Sequence, residues 1–135
     1  MMRDESLYPK NWFAIGEKDL KRAENLLTLH DPEGAGFFIQ QSLEKYLKGY
    51  LLSKGWKLRR IHSLEILLND AIIYEPSLEE YRQDCLKITY YYVQDRYPFT
   101  MASELSEKEI KKSLQIAKAL IQKIHTLILT ENKKG

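Results

Sequence analysis

Between Glu33 and Lys54, Ile39, Leu43, Tyr46, Leu47 and Tyr50 recur at steps of three and four, the spacing that gathers side chains on one face of an α-helix. Opposite that stripe runs a second line, Phe37, Gln41, Glu44, Lys48 and Leu51, apolar at both ends and polar in the middle. One reading of it is a solvated face with two stray hydrophobes. The other is a central helix, pressed on both sides by other helices or by a second copy of the chain, with its polar members buried as a hydrogen-bonded set. The second reading is the expectation, and it requires a helical bundle built around this segment.

The remaining segments supply the other helices. Pro9 suits a first helical turn because its missing N–H would have had no helical partner there. From Pro9 to about Leu29, Trp12, Ile15, Leu20, Ala23, Leu26 and Leu27 mark an inward face. His30, Asp31, Pro32 and Gly34 make a turn, and Gly55 stops the second helix before a basic loop with Lys57, Arg59 and Arg60. A short third helix uses Leu64, Leu67, Leu68, Ala71 and Ile72. Ser77 and Glu80 have capping-box spacing for a fourth, whose buried face is expected at Leu78, Tyr81, Cys85, Ile88 and Tyr92, ending near Arg96 before Pro98. Ser106 and Glu109 repeat the capping box, with Leu105 and Ile110 placed as a hydrophobic staple. The last helix carries Ile110, Leu114, Ala117, Ile121, Ile124 and Ile128 to about Thr130, ahead of a solvated tail. The expected fold is all-α, an antiparallel up-and-down bundle of about five helices forming one domain over residues 1–135, with its core at about residues 10–128.

Composition narrows the function. Twenty-one Lys and Arg against 19 Asp and Glu give a net charge of +2, too balanced for bulk attraction to nucleic acid or membrane. No apolar run approaches the roughly 18 residues of a membrane span. One cysteine, Cys85, excludes an internal disulfide and fits a small core residue on its helix. His30, His62 and His125 lie far apart, so neither a metal nor a cofactor is expected. No glycine loop suited to phosphate is present. A cytoplasmic protein is the expectation.

Three places hold candidate chemistry. The polar middle of the second helix offers Gln41, Glu44 and Lys48. Arg96 falls beside the apolar stripe of the fourth helix. A cation there suits an ion pair with a carboxylate such as Glu44, a cap on the helix's C-terminal carbonyls, or a phosphate or carboxylate contact, for which guanidinium offers two donors. Tyr97 follows it among Tyr90, Tyr91 and Tyr92, rings able to pack or to stack on a base. His62, between the basic loop and the third helix, can cap that helix or pack in the core; if the loop with Lys57, Arg59 and Arg60 approaches Lys48 and Arg96, the combination makes a positive pocket suited to phosphate.

The string Gln40-Gln41-Ser42-Leu43-Glu44-Lys45-Tyr46-Leu47-Lys48, followed by His62-Ser63-Leu64 and by Arg96-Tyr97-Pro98 after a tyrosine-rich helix, resembles the HEPN family. Trp12, Asp19, Leu20 and Ala23 match that family's usual opening, so the resemblance spans about residues 10 to 128. It implies an antiparallel bundle, commonly a homodimer, often encoded beside a small nucleotidyltransferase with which it forms a toxin–antitoxin pair. Nucleotide binding is also implied. Many members cleave RNA with an Arg followed, after four to six residues, by a His. None of Arg3, Arg22, Arg59, Arg60, Arg82 and Arg96 has a His at that spacing; the nearest, His30 after Arg22, has seven residues between. The expectation is a non-catalytic binding protein using Gln41, Glu44, Lys45, Lys48, His62, Arg96 and Tyr97 toward a nucleotide or a nucleotidyltransferase. The alternatives are an RNA-binding or RNA-cleaving toxin joining His62 and Arg96, and a purely structural dimer.

Overall fold

Each helix start depends on what meets its first, unpaired amides. The computed structural model describes residues 6–96 and 106–134, with side chains described for all of these except 92–96 and 132–134. Helix α1 (Pro9–Thr28) opens on its proline and ends with His30 and Asp31 donating their amides back to the carbonyls of Leu27 and Leu26. These are the two return bonds of a Schellman end, and His30 takes the left-handed position it requires, at φ 62°. Asp31 then caps α2 (Pro32–Ser53), accepting the Gly34 amide at 3.0 Å. Ser63 caps α3 (Leu64–Tyr74) through the Ile66 amide at 3.3 Å. At α5 (Glu107–Lys134) Ser106 accepts the Glu109 amide at 3.1 Å, as the capping-box spacing predicts. Leu105 of the expected staple lies outside the described residues.

Ser77 and Glu80 are a correction. No capping box forms there, because Pro76–Tyr81 is a 3₁₀ segment in which Ser77 donates to Glu75 at 2.6 Å and Glu80 pairs with Lys123 at 3.0 Å. Helix α4 therefore begins at Arg82 and runs to Arg96. The last helix also outruns its expected end at Thr130, with Glu131 paired to Lys54 rather than standing in a free tail.

The fold is an all-α bundle, with no strand among the described residues. Helix α2 is its axis, packing against α1, α3, α4 and α5. Its stripe of Ile39, Leu43, Tyr46, Leu47 and Tyr50 is buried, together with Leu51 from the opposite line. Two glycines let α1 and α2 approach closely. A Cβ at Gly16 would stand 2.7 Å from the Tyr46 ring, and one at Gly49 would stand 2.5 Å from the Phe13 ring. Ser42 closes the gap by donating to the Gly16 carbonyl at 2.8 Å.

Most of the expected core is buried, including Leu20, Ala23, Leu64, Leu67, Leu68, Ala71, Leu78, Cys85, Ile88, Ile110 and Ile124. Ile15 is not: it points outward, because α2 covers the Phe13 and Gly16 side of α1. Tyr91 is buried instead of projecting from the cluster of rings, its hydroxyl 2.8 Å from that of Ser113. The Tyr92 side chain lies outside the described residues. No helix among them is long and apolar enough to cross a membrane.

Candidate functional site

Gln40, Glu44 and Lys48 stand one turn apart on α2, so their side chains stack along one edge of the helix. All three are buried. Lys48 donates to Glu44 Oε2 at 3.0 Å, with each side chain only 3% exposed. Gln40 Nε2 lies 3.5 Å from Glu44 Oε1 and donates to the His62 carbonyl at 2.8 Å. The imidazole Nδ1 of His62 is 3.2 Å from Glu44 Oε2, while 61% of that side chain faces solvent. On the other side the Lys48 ammonium sits 5.4 Å from the centre of the Trp12 ring, which Nε1 anchors by donating to the Ser6 carbonyl at 2.7 Å. A buried carboxylate is tolerable only when charged and hydrogen-bonding partners surround it, and here α1, α2 and the loop before α3 converge to provide them.

The network continues toward the surface. Gln41 donates to Gln40 Oε1 at 2.8 Å, and Lys45 donates to Gln41 Oε1 at 3.0 Å. Lys45 also approaches Asp19 at 3.7 Å, and Asp19 accepts from Arg22 at 2.7 Å. The Arg22 guanidinium lies 5.7 Å from the centre of the Phe38 ring. One line of polar contacts thus runs from Arg22 to His62. It contains three fixed cations, Arg22, Lys45 and Lys48, and two carboxylates, Asp19 and Glu44, before the imidazole is counted.

Of the residues singled out in the sequence, Gln41, Glu44, Lys45, Lys48 and His62 meet in this network. Lys48 is turned inward onto Glu44, so its ammonium is a structural partner of that carboxylate. His62 does not cap α3, a role Ser63 takes, but reaches back to α2. Arg59 donates to Asp70 of α3 at 2.9 Å beside the Trp56 ring. The side chain of Arg96, and Tyr97 altogether, lie outside the described residues. Asp19, Gln40 and Trp12 join the site without having been singled out for it. Asp19 could have been found, because it falls seven residues after Trp12 and four before Ala23, in the register of a buried face.

Other chemistry is poorly provided for. Burial pushes the Cys85 thiol up to about 12, so at neutral pH it is protonated and a poor nucleophile or metal ligand. No group of three His, Cys, Asp or Glu side chains that could hold a metal ion occurs among the described residues.

Residues 9–127 match the model of the HEPN domain family. The chain belongs to that family. The fold of this HEPN domain is similar to that of TT1696 from Thermus thermophilus, at a TM-score of 0.75 and 24% identity, covering 87% of this chain and 96% of that one. It is also similar to ST0689, an archaeal HEPN homologue, at a TM-score of 0.73 and 24% identity, covering 90% and 98% of the two chains. No curated protein matches its sequence. In this HEPN domain the string Gln40 to Lys48 supplies both the middle of the core stripe of α2, Leu43, Tyr46 and Leu47, and the polar edge that holds His62.

Proposed function

We propose that this HEPN domain is a binding protein, not a self-sufficient catalyst, and that the polar edge of α2 with His62 engages a nucleotide or a co-encoded nucleotidyltransferase. The observation that carries the reading is the continuity of the polar line from a buried ion pair to a surface cation. Glu44 and Lys48 fix the geometry inside, while Gln41, Lys45 and His62 stand at the rim with positive charge in excess. A rim of this kind suits phosphate oxygens or an acidic partner surface. Arg96, which closes α4, and Tyr97 after it belong to the same proposal, as a further phosphate contact and a stacking ring. A homodimer that places two copies of this edge together, and membership in a toxin–antitoxin-like pair, complete it.

The test is calorimetric titration with ATP and GTP, together with co-purification alongside the product of the neighbouring reading frame. Saturable nucleotide binding weakened about tenfold by Lys45→Ala, or a stable complex with a nucleotidyltransferase, supports the reading. Neither binding nor complex would sink it.

A second reading is favoured by the contact between His62 and Glu44. A carboxylate on Nδ1 orients an imidazole for proton transfer at its other nitrogen, as RNA cleavage needs. Ribonuclease assays of the wild type, His62→Ala and Arg96→Ala decide it, and equal background cleavage in all three rejects it.

A further inference from the structure

The charges of this HEPN domain are unevenly spread. Between Ser63 and Leu86 stand six carboxylates, Glu65, Asp70, Glu75, Glu79, Glu80 and Asp84, against one cation, Arg82, although the whole chain carries a net charge of +2. Arg59 reaches Asp70 at 2.9 Å and Lys123 reaches Glu80 at 3.0 Å. Arg82 is shared between Glu79 at 2.7 Å and Glu65 at 3.9 Å. These three cations meet four of the six carboxylates, and Lys87, next along α4, is paired with Glu109 of α5, so the α3–α4 side of the bundle stays acidic.

The same side exposes large apolar side chains. Ile66 and Ile73, two turns apart, project from the outer face of α3, Ile73 with 76% of its surface exposed. Leu86 and Tyr90, one turn apart, are exposed on α4, and Tyr74 is exposed at the end of α3. Helices α3 and α4 lie side by side, with the Leu64 amide on the Thr89 hydroxyl at 3.3 Å and Arg82 beside Glu65. The two apolar edges therefore flank one seam. A single exposed hydrophobe needs no explanation. Five on one adjoining pair of helices, two of them tyrosines, have the composition of a protein-binding surface.

We propose that this α3–α4 face docks a basic amphipathic helix of a partner protein, its apolar side on Ile66, Ile73, Leu86 and Tyr90 and its Lys and Arg on the surrounding carboxylates. Charge selects the occupant. Twofold pairing of the face with itself would set carboxylate against carboxylate, and an anionic lipid surface would be repelled. A cationic helix gains from both the apolar seam and the acidic rim. The face uses none of the residues of the α2 edge.

The probe is a synthetic helical peptide of Leu and Lys with one apolar and one basic side, compared with a Leu and Glu peptide of the same pattern, followed by fluorescence anisotropy. The Leu/Lys peptide should bind the full chain saturably, more weakly as salt rises, and the Leu/Glu peptide should not. Ile66→Ser with Ile73→Ser should weaken binding by about tenfold or more, at unchanged melting temperature because both positions are exposed. Glu79→Gln with Glu80→Gln, which leaves the apolar seam intact, should weaken binding and flatten its salt dependence. Lys45→Ala, on the α2 edge, should leave it unchanged. Equal binding of the two peptides, undiminished binding to both double variants, or sedimentation showing that Ile66→Ser with Ile73→Ser turns a dimer into a monomer would overturn the proposal.

Discussion

Lys48 and Glu44, one turn apart on α2, form an ion pair wholly inside the bundle, with His62 and Gln40 closing over the same carboxylate. Removing one partner strands the other. Lys48→Met should cost about 3–5 kcal/mol of folding stability, because the Glu44 charge is left buried and partly unpaired. Glu44→Gln with Lys48→Met should cost much less than the two single changes added together. Urea denaturation of the four proteins of this cycle measures the coupling.

Gly49→Ala reverses the ordinary helix rule. In an exposed helix interior alanine is better than glycine by about 1 kcal/mol. Here a Cβ would stand 2.5 Å from Phe13 Cε1, so the ring and the α1–α2 contact must give way. A net loss of about 1–3 kcal/mol is expected in thermal or urea unfolding.

Tyr50 is buried at the far end of the core, and its hydroxyl has no hydrogen-bond partner among the described residues. Tyr50→Phe removes that orphaned group while keeping the ring. It should raise stability by about 1 kcal/mol, read as a higher urea midpoint with unchanged slope.

Alkaline pH should unfold the protein early. Burial, and then the charges of Glu131 and Glu75, push the Tyr50 hydroxyl from 10.0 up to about 12, and burial pushes the Cys85 thiol from 9.0 up to about 12. Both groups are neutral when protonated and have raised values in the folded state. Their contribution is therefore complete below pH 9 and is lost as pH rises through 9–12. With each unit worth about 1.4 kcal/mol, stability measured at pH 8, 10 and 11 should fall steeply, and Tyr50→Phe should fall less.

The three serines near helix starts should behave differently. Ser106→Ala and Ser63→Ala each remove an acceptor from a helix amide and should cost about 1 kcal/mol. Ser77→Ala loses only a contact to Glu75 and should leave the melting temperature almost unchanged.

The residues that sequence placed correctly share one property, that their signal is local. The stripe of α2, the cap at Ser106 and the register of Ile110 to Ile124 follow from side chains one helical turn apart on a single segment, so spacing alone reveals them. Spacing also named Gln41, Glu44 and Lys48 as residues of interest, while Lys45 came from the family resemblance and His62 from its place just before α3. Spacing could not say that Lys48 pairs with Glu44 inside the chain, because other cations were equally compatible with the pattern. Ile15 matched the apolar register of α1 as well as Leu20 did. Only the docking of α2 against Phe13 and Gly16 decided that Ile15 faces water and Asp19 does not. Ser77 satisfied a capping rule, yet Glu80 found Lys123 of α5, far away in the chain. Periodicity thus determined which face each helix offers to a core. The packing of one helix on another decided which polar groups were enclosed, and enclosure made each of them require a partner from a distant segment.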